Sequence, residues 1–429
     1  MKIFFRKMLP RSHIGRNIFL LMSGTAAAQL ITAVSMPIVT RLYTPEMIGI
    51  ISIYLSFFGF WTTILTWRFE SALLISEDEE ESHYVFRLGA VLVLLTAFLG
   101  VPVLSSLQHF NVIGFETLPA WSPLVAFLSS LGFGWYMLYR SWLLRLREAR
   151  VISMSAVARS GANAGTRVLS GILNIGVYGL FLAEILGSWA ALGAVRNKTK
   201  RILVKEEPKW SCSKLKDCAI KYRKFVQYEM PSVMLNQLAI MLPVPIVGAL
   251  YGAEAAGWFG LAKLVYAIPN GQIGKSVGDV FQMELGGSVR EGDIKKGEKL
   301  FYKFSFRLGV VGLLPLFISI FFAPQIVPFI FGDDWEKMGV IVAHMAPWMF
   351  MALVVGSMSR ALSVLQKQQW KLMYDFSALA VVGCSYFYAE IHHIDLIGFI
   401  DVLSVGMSSA YVVYFFVIAF SFKSFFWRV

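Results

Sequence analysis

The chain has 429 residues, 57% of them hydrophobic and only 15% charged, with a mean hydropathy of +0.62 and a formal net charge of +12. So much apolar surface excludes a soluble globular protein of this length and marks a polytopic membrane protein.

A helix needs about 20 apolar residues to cross the hydrocarbon core, because lipid cannot satisfy its backbone. Twelve stretches qualify: 17–40, 47–67, 86–107, 119–140, 151–174, 177–195, 228–250, 258–280, 304–324, 338–361, 371–389 and 396–420. Six lie in each half. An even number returns each half to the side it started from, which predicts parallel repeats: an all-α polytopic fold of two six-helix bundles, 1–210 and 211–429. Of the 39 Lys and Arg residues, 32 fall toward one side of that arrangement, and only Arg41 and Lys337 toward the other. The asymmetry puts both termini in the cytoplasm. It explains the basic balance as topology, and no nucleic-acid partner is expected.

Near the start, Ala26-Ala27-Ala28 follows a basic segment as a signal cleavage site would. The apolar core before it, 18–22, is too short, so the first span is expected to be retained. The link to the second span carries PIVTRLYTPEMIG from Pro37, which returns 208 residues later as PIVGALYGAEAAG from Pro245, with seven identities. FRLG recurs as well, at 86–89 and 306–309, so the chain reads as one unit duplicated. Duplicated membrane bundles point to transporters, whose sites lie between the halves. The acidic run EDEEE at 77–81 is read as a solvated charge run, since metal binding would need partners that the sequence does not place.

Span 5 sets Ser155, Arg159, Asn163, Arg167, Ser170 and Asn174 on one helical face. At about 1.5 Å per residue, Arg159 lies roughly 12 Å deep and Arg167 about 24 Å. Such cations either line a wet cavity or pair with Glu184 of span 6. The linker 196–225 carries 11 basic and 3 acidic residues and is read as a headgroup-contacting segment. Cys212 and Cys218 lie in it and Cys384 in span 11; none is on the outer side, so no disulfide is expected. In span 8, Lys263, Tyr266 and Asn270 share a face, and Pro269 with Gly271 would loosen the helix. Lys263 either meets substrate or snorkels outward. Lys275 and Asp279 have the spacing of a salt bridge. His392-His393 in the last outer turn is read as an inert exposed pair rather than a pH sensor.

Counted by depth, the cations Arg159, Arg167, Lys263 and Lys275 outnumber the anions Glu184 and Asp279. A positive interior suits phosphate or carboxylate oxygens, whereas an exporter of cationic drugs would want the reverse sign. The outer links are too short for a catalytic domain. No P-loop, HExxH, nucleophile elbow or dinucleotide turn appears. The expectation is a transporter rather than an enzyme, with no cofactor and no metal.

TRLYTPEMIGIISIYLS followed by WRFESALLIS resembles the start of bacterial polysaccharide-biosynthesis transporters of the O-antigen flippase type. In these, an RLYTPE-like turn and a second helix precede an Arg-aromatic-Glu triplet, here Arg68-Phe69-Glu70. KYRKFVQYEMPSVMLNQLAIMLPVPIVGALYGAEAAGWFGLAKLVYAIP looks like their seventh and eighth helices, and ALSVLQKQQWKL like the loop after the tenth. The likeness spans most of the chain. It implies a two-bundle, MATE-like fold of the multidrug/oligosaccharidyl-lipid/polysaccharide exporter superfamily. It also implies a cargo, an undecaprenyl-diphosphate-linked oligosaccharide, moved to the outer leaflet of the bacterial inner membrane by alternating access. Ion antiport or the membrane potential would drive it. Membrane lipid, a polymerase and a chain-length regulator are the partners such a role implies.

Joined to the charge pattern, the resemblance makes Arg159, Asn163, Arg167, Lys263, Asn270 and Arg68 the expected substrate contacts. Glu184, Asp279 and Glu70 are the expected ion-coupling carboxylates. Lys263 stands where many such transporters carry Gln or Arg. The competing readings are a multidrug exporter, a peptidoglycan-precursor exporter and a membrane-bound glycosyltransferase or polymerase. The last would normally show a large outer loop or a metal-binding carboxylate pair.

Overall fold

The computed structural model describes residues 13–203 and 208–425. The basic residues ahead of His13, Lys205 of the linker and Arg428 lie outside them, and with them part of the topology count. Among the described residues there is no strand. Eight helical stretches are long and apolar enough to cross a bilayer, and one of these, Phe225–Arg290, runs 66 residues, enough for two crossings. Pro45–Trp61 is a shorter apolar helix. Ser122–Arg145 and Ala149–Ile172 complete the twelve expected spans; the second is diluted by its own stripe of Ser, Asn and Arg. The fold is the all-α polytopic arrangement that the composition requires.

In chain order the helices are α1 (His13–Leu42), α2 (Pro45–Trp61), α3 (Phe69–Ile75), α4 (Glu79–His109), α5 (Ser122–Arg145), α6 (Ala149–Ile172), α7 (Val177–Leu203) and α8 (Cys212–Lys221). After these come α9 (Met230–Met241), α10 (Pro243–Pro269), α11 (Lys275–Arg290), α12 (Ile294–Phe331), α13 (Glu336–Met351), α14 (Arg360–Val364), α15 (Gln368–His392) and α16 (Leu396–Phe425). By packing, the chain forms two compact units. One holds the chain up to Tyr43 with Ile53–Gln237, the other Thr44–Ser52 with the chain from Leu238 onward.

The duplicated motif has a structural counterpart. In the first copy the chain turns at Tyr43 and Thr44, between α1 and α2. In the second, α10 is broken at Gly252, whose φ of 89° lies outside what a side chain tolerates; Gly252 stands 208 residues after Thr44. The preceding tyrosines do matching work. Tyr43 donates its hydroxyl to the carbonyl of Arg167 (2.8 Å) near the end of α6, and Tyr251 donates to the carbonyl of Ile394 (3.0 Å) just past α15. Each clamps its turn to the fifth span of its own repeat.

Inside the second unit the two copies meet. A Cβ on Gly49 would overlap the carbonyl of Ala253, and one on Gly257 would overlap the carbonyl of Pro45. Each pair is the other shifted by 208, so the contact is reciprocal, as a local twofold requires. Only glycine allows the backbones so close.

The second span does not run straight through. After Trp61 the chain passes through tight turns in which Trp67 (φ 50°) and Arg68 (φ 66°) adopt the left-handed conformation, costly for residues with a Cβ. Indole bonds hold the break: Trp61 Nε1 donates to the Thr96 carbonyl (3.2 Å) and Trp67 Nε1 to Thr96 Oγ1 (3.0 Å).

The linker folds back on the acidic run. Residues 212–221 fold into α8, capped by Ser211, whose hydroxyl accepts from the Lys214 N–H. Its lysines face the run at 77–81. Lys214 pairs with Glu80, and Lys221 with Glu77 (3.0 Å) and Glu81 (2.6 Å). Asp78 accepts from the Glu81 N–H and caps α4. Behind the charges, Cys218 and Tyr222 join Phe69, Tyr84 and Trp142 in one buried cluster. Burial, then the charge of Glu81, pushes the Cys218 thiol up to about 11. The acidic run, exposed at 77–80 as a solvated charge run would be, also serves as a docking strip for the linker.

Candidate functional site

The polar stripe of α6 divides into a paired part and an unpaired part. Glu184 on α7 is buried, only 4% exposed, and gathers two of the predicted residues. Asn163 Nδ2 donates to its Oε1 at 2.6 Å, and Arg167 Nη2 donates to the same oxygen at 2.8 Å. The site is tight because Gly187, one turn beyond Glu184, lies against Asn163 and the Arg159 carbonyl, where a side chain would crowd. The Nε of Arg167 is buried without a partner. Ser155 and Ser170 close the stripe at its ends, Ser170 against Tyr43 and Ser155 facing Tyr136. Asn174 sits in the following turn with φ 53°.

Arg159 behaves differently. Its guanidinium lies over the ring of Phe133 on α5, 4.3 Å from the centroid, and no carboxylate pairs with it among the described residues. A ring face attracts a cation by its quadrupole but leaves the charge and the in-plane N–H groups available. Past Arg159 the α6 surface is bare: Gly161 and Gly165 are exposed, with open space where a Cβ would be.

Arg68 and Glu70 form a second cluster, at the break in the second span. Arg68 Nη1 donates to Glu70 at 2.8 Å, and its Nε donates to Glu229 at 3.0 Å. Glu70 also accepts from the Thr66 hydroxyl. Glu229 ends a π-helical turn, Phe225–Glu229, ahead of α9. Sequence reasoning passed over Glu229, although an acid at the start of an apolar span was the available signal.

In the second unit, Lys263 donates its ammonium to the carbonyl of Ile240. Asn270 begins a π-helical turn, Asn270–Gly274, where the helix was expected to loosen, and donates to the carbonyl of Met349 (3.3 Å). Tyr266 donates to the carbonyl of Val342 (2.8 Å). Asp279 pairs with Arg360 of α14 rather than with Lys275, four residues away on its own helix. The predicted residues thus fall into separate groups: Asn163–Arg167–Glu184 with Arg159 one turn off, Arg68–Glu70–Glu229, Asp279–Arg360, and Lys263 and Asn270 on carbonyls.

Pairing revises the charge balance without reversing it. Arg167 is cancelled by Glu184, and Arg68 is outnumbered by its two carboxylates. Arg159 and Lys263 remain as cations with no carboxylate partner among the described residues, as does Lys275, whose expected partner Asp279 is taken by Arg360. A charge so placed is expensive unless it meets water or an anionic ligand.

Helices of this number, broken at repeated turns and carrying unbalanced charge, make a polytopic membrane protein. Three solved structures share the fold. Lipid II flippase MurJ in an inward closed conformation superposes with a TM-score of 0.71 at 13% identity, over 93% of this chain and 87% of that one. An inward-facing multidrug resistance MATE family transporter of the MOP superfamily gives 0.60 at 15% identity, over 94% of both chains. The Vibrio cholerae MATE transporter VcmN gives 0.54 at 13% identity, over 95% of both. Among curated protein sequences none matches. Residues 38–340 match the family model described as polysaccharide biosynthesis protein, and the chain belongs to that family.

Proposed function

We propose that this protein is a flippase that carries an undecaprenyl-diphosphate-linked oligosaccharide, an O-antigen or related repeat unit, across the bacterial cytoplasmic membrane. Both termini then lie in the cytoplasm, and the chain serves lipopolysaccharide or a related surface polysaccharide. The observation that carries the reading is Arg159, a deep cation held by a ring face instead of a carboxylate. A diphosphate can bond such a guanidinium through two parallel N–H groups with little rearrangement. Lys263 on α10, with Asn270 in the π-helical turn that follows it, offers a second donor set.

Arg167 and Asn163 are tied to Glu184, so they contact cargo only if the carboxylate lets go. Protonation of Glu184 would do that, which links its assigned ion-coupling role to the release of a second guanidinium. Glu70 and Asp279, each bonded to an arginine, would act in the same way. Binding must stay loose, since a tightly held head group would not leave. A polymerase and a chain-length regulator would consume the product. A drug exporter fits less well, because the unpaired deep charge is positive. The test is complementation of a flippase-deficient strain by the Arg159→Gln variant, with surface polysaccharide measured at matched protein levels. Loss of surface polysaccharide is expected; normal levels would remove Arg159 from the site.

A further inference from the structure

The stretch expected as a loop between spans 8 and 9 is helical: α11 and α12 are joined by a turn at 291–293, and α12 runs 38 residues. At about 1.5 Å per residue that is about 57 Å, well beyond the roughly 30 Å of hydrocarbon. From Leu308 to Phe331 the helix carries no charge. That part alone is about 36 Å long and covers the apolar core. Arg307 therefore stands at the edge of the hydrocarbon, with Lys303 about 6 Å and Lys299 about 12 Å beyond it. The headgroup layer is about 5–8 Å thick on each side, so Lys303 falls within it.

Packing fixes the back of this stretch. Phe301 and Leu308 are buried with Phe281 and Leu285 of α11 and with Tyr414 and Phe422 of α16. Gly297 lies so close to Leu285 that a Cβ would overlap it. The opposite face is open: Lys299, Lys303 and Arg307 are exposed, and so are Phe306 and Val310. At about 100° per residue these five fall within an arc of about 100°. None of the three cations has a carboxylate partner among the described residues, whereas Lys214 and Lys221 of the linker are held by the acidic strip. Like charges four residues apart on a helix repel, so this row is stabilised by an anion.

We propose that this face of α12 binds an anionic glycerophospholipid. Its phosphate lies between Lys303 and Arg307, Lys299 adds charge below, and its acyl chains run along Phe306 and Val310. The occupant is a lipid rather than a free phosphate because the arc that carries the cations also carries apolar surface, Phe306 being 73% exposed. A zwitterionic lipid would bring its own ammonium against the three cations. The inner leaflet as its location rests on the topology proposed above; the headgroup selectivity does not.

The test uses the purified full-length chain in a neutral detergent, titrated with dioleoyl phosphatidylglycerol or dioleoyl phosphatidylcholine, with bound lipids counted by native mass spectrometry. The first phosphatidylglycerol should bind about tenfold more tightly than the first phosphatidylcholine. Lys299→Gln, Lys303→Gln and Arg307→Gln together should abolish that preference. Exchanging Lys303 and Arg307 for each other, which keeps the charge, should preserve it. The same number of charges removed at Arg140, Arg147 and Arg150, exposed arginines around the expected link between spans 4 and 5, should leave it unchanged. Equal affinity for the two lipids, an undiminished preference in the α12 triple variant, or an equal loss in the arginine control would overturn the proposal. So would displacement of the lipid by glycerol phosphate at equal concentration, since the phosphate alone would then suffice. No transport enters the measurement, so failure here leaves the Arg159 reading standing, and failure there leaves this one standing.

Discussion

Replacing Arg167 and Glu184 singly and together separates structural from substrate-facing charge. At 2.8 Å and an effective dielectric of about 20, their attraction comes to about 6 kcal/mol. Withdrawing two ions from water costs several kcal/mol each, so the pair as a whole is close to break-even. Removing one partner is another matter, because an uncompensated charge is left buried. Arg167→Gln or Glu184→Gln alone should therefore destabilise by about 3–5 kcal/mol. The double variant should recover most of that, so the coupling in the double-mutant cycle should be about 5 kcal/mol or more. The measurement is reversible unfolding of the purified protein in lipid bicelles. Arg159→Gln is the comparison, expected to lose at most about 2 kcal/mol with its ring contact. If the single costs simply add, Glu184 does not neutralise Arg167 and the revised charge balance is wrong. The double variant also speaks to transport: retained transport would assign both residues to the scaffold, and lost transport would give at least one of them a part in the transport cycle.

Other expectations concern the docked linker and the repeated turn. In a Cys384→Ser background, a soluble maleimide should label exposed Cys212 quickly near neutral pH and Cys218 slowly, since Cys218 is buried and titrates at about 11. Changing Glu77, Glu80 and Glu81 to Gln should speed Cys218 labelling severalfold by releasing α8; no change would show that the ion pairs do not hold it. The hydrogen bond from Lys221 to Glu81 raises the lysine pKa. Its stabilisation is thus fully present below the ordinary lysine value of about 10.5 and is lost only as pH rises through the higher folded value. Cys218 protection should accordingly persist up to that range. Gly49→Leu and Gly257→Leu should each cost about 1–3 kcal/mol or prevent folding, whereas the same change at Gly161, which has open space around it, should lower thermal stability little.

Much of the architecture was legible because a bilayer imposes harsh terms. The apolar stretches had to become helices, and all twelve did, the second only as far as Trp61. The copy of PIVTRLYTPEMIG at Pro245 foretold a repeated turn, and Tyr43 and Tyr251 duly anchor both. The π-helical turn at Asn270–Gly274 falls where Pro269 and Gly271 suggested a loosened helix. The site was less readable. Spacing put Arg159 and Arg167 on one face, yet eight residues apart they meet different neighbours, a ring and a carboxylate. Lys275 and Asp279 had ideal helical spacing, but Arg360 from another helix took the carboxylate. His344 and Asp401, bonded at 2.6 Å, lie 57 residues apart, and no local pattern joins them.

Local chemistry, then, decided where the chain crosses, where it turns and which residues are charged at depth, since hydropathy and helical period are properties of neighbouring residues. Which charges are cancelled is a matter of distance between helices remote in sequence. Electrostatic energy falls with separation and rises with desolvation, and both are set only when α6 packs on α7, α8 on the acidic strip, and α13 on α16.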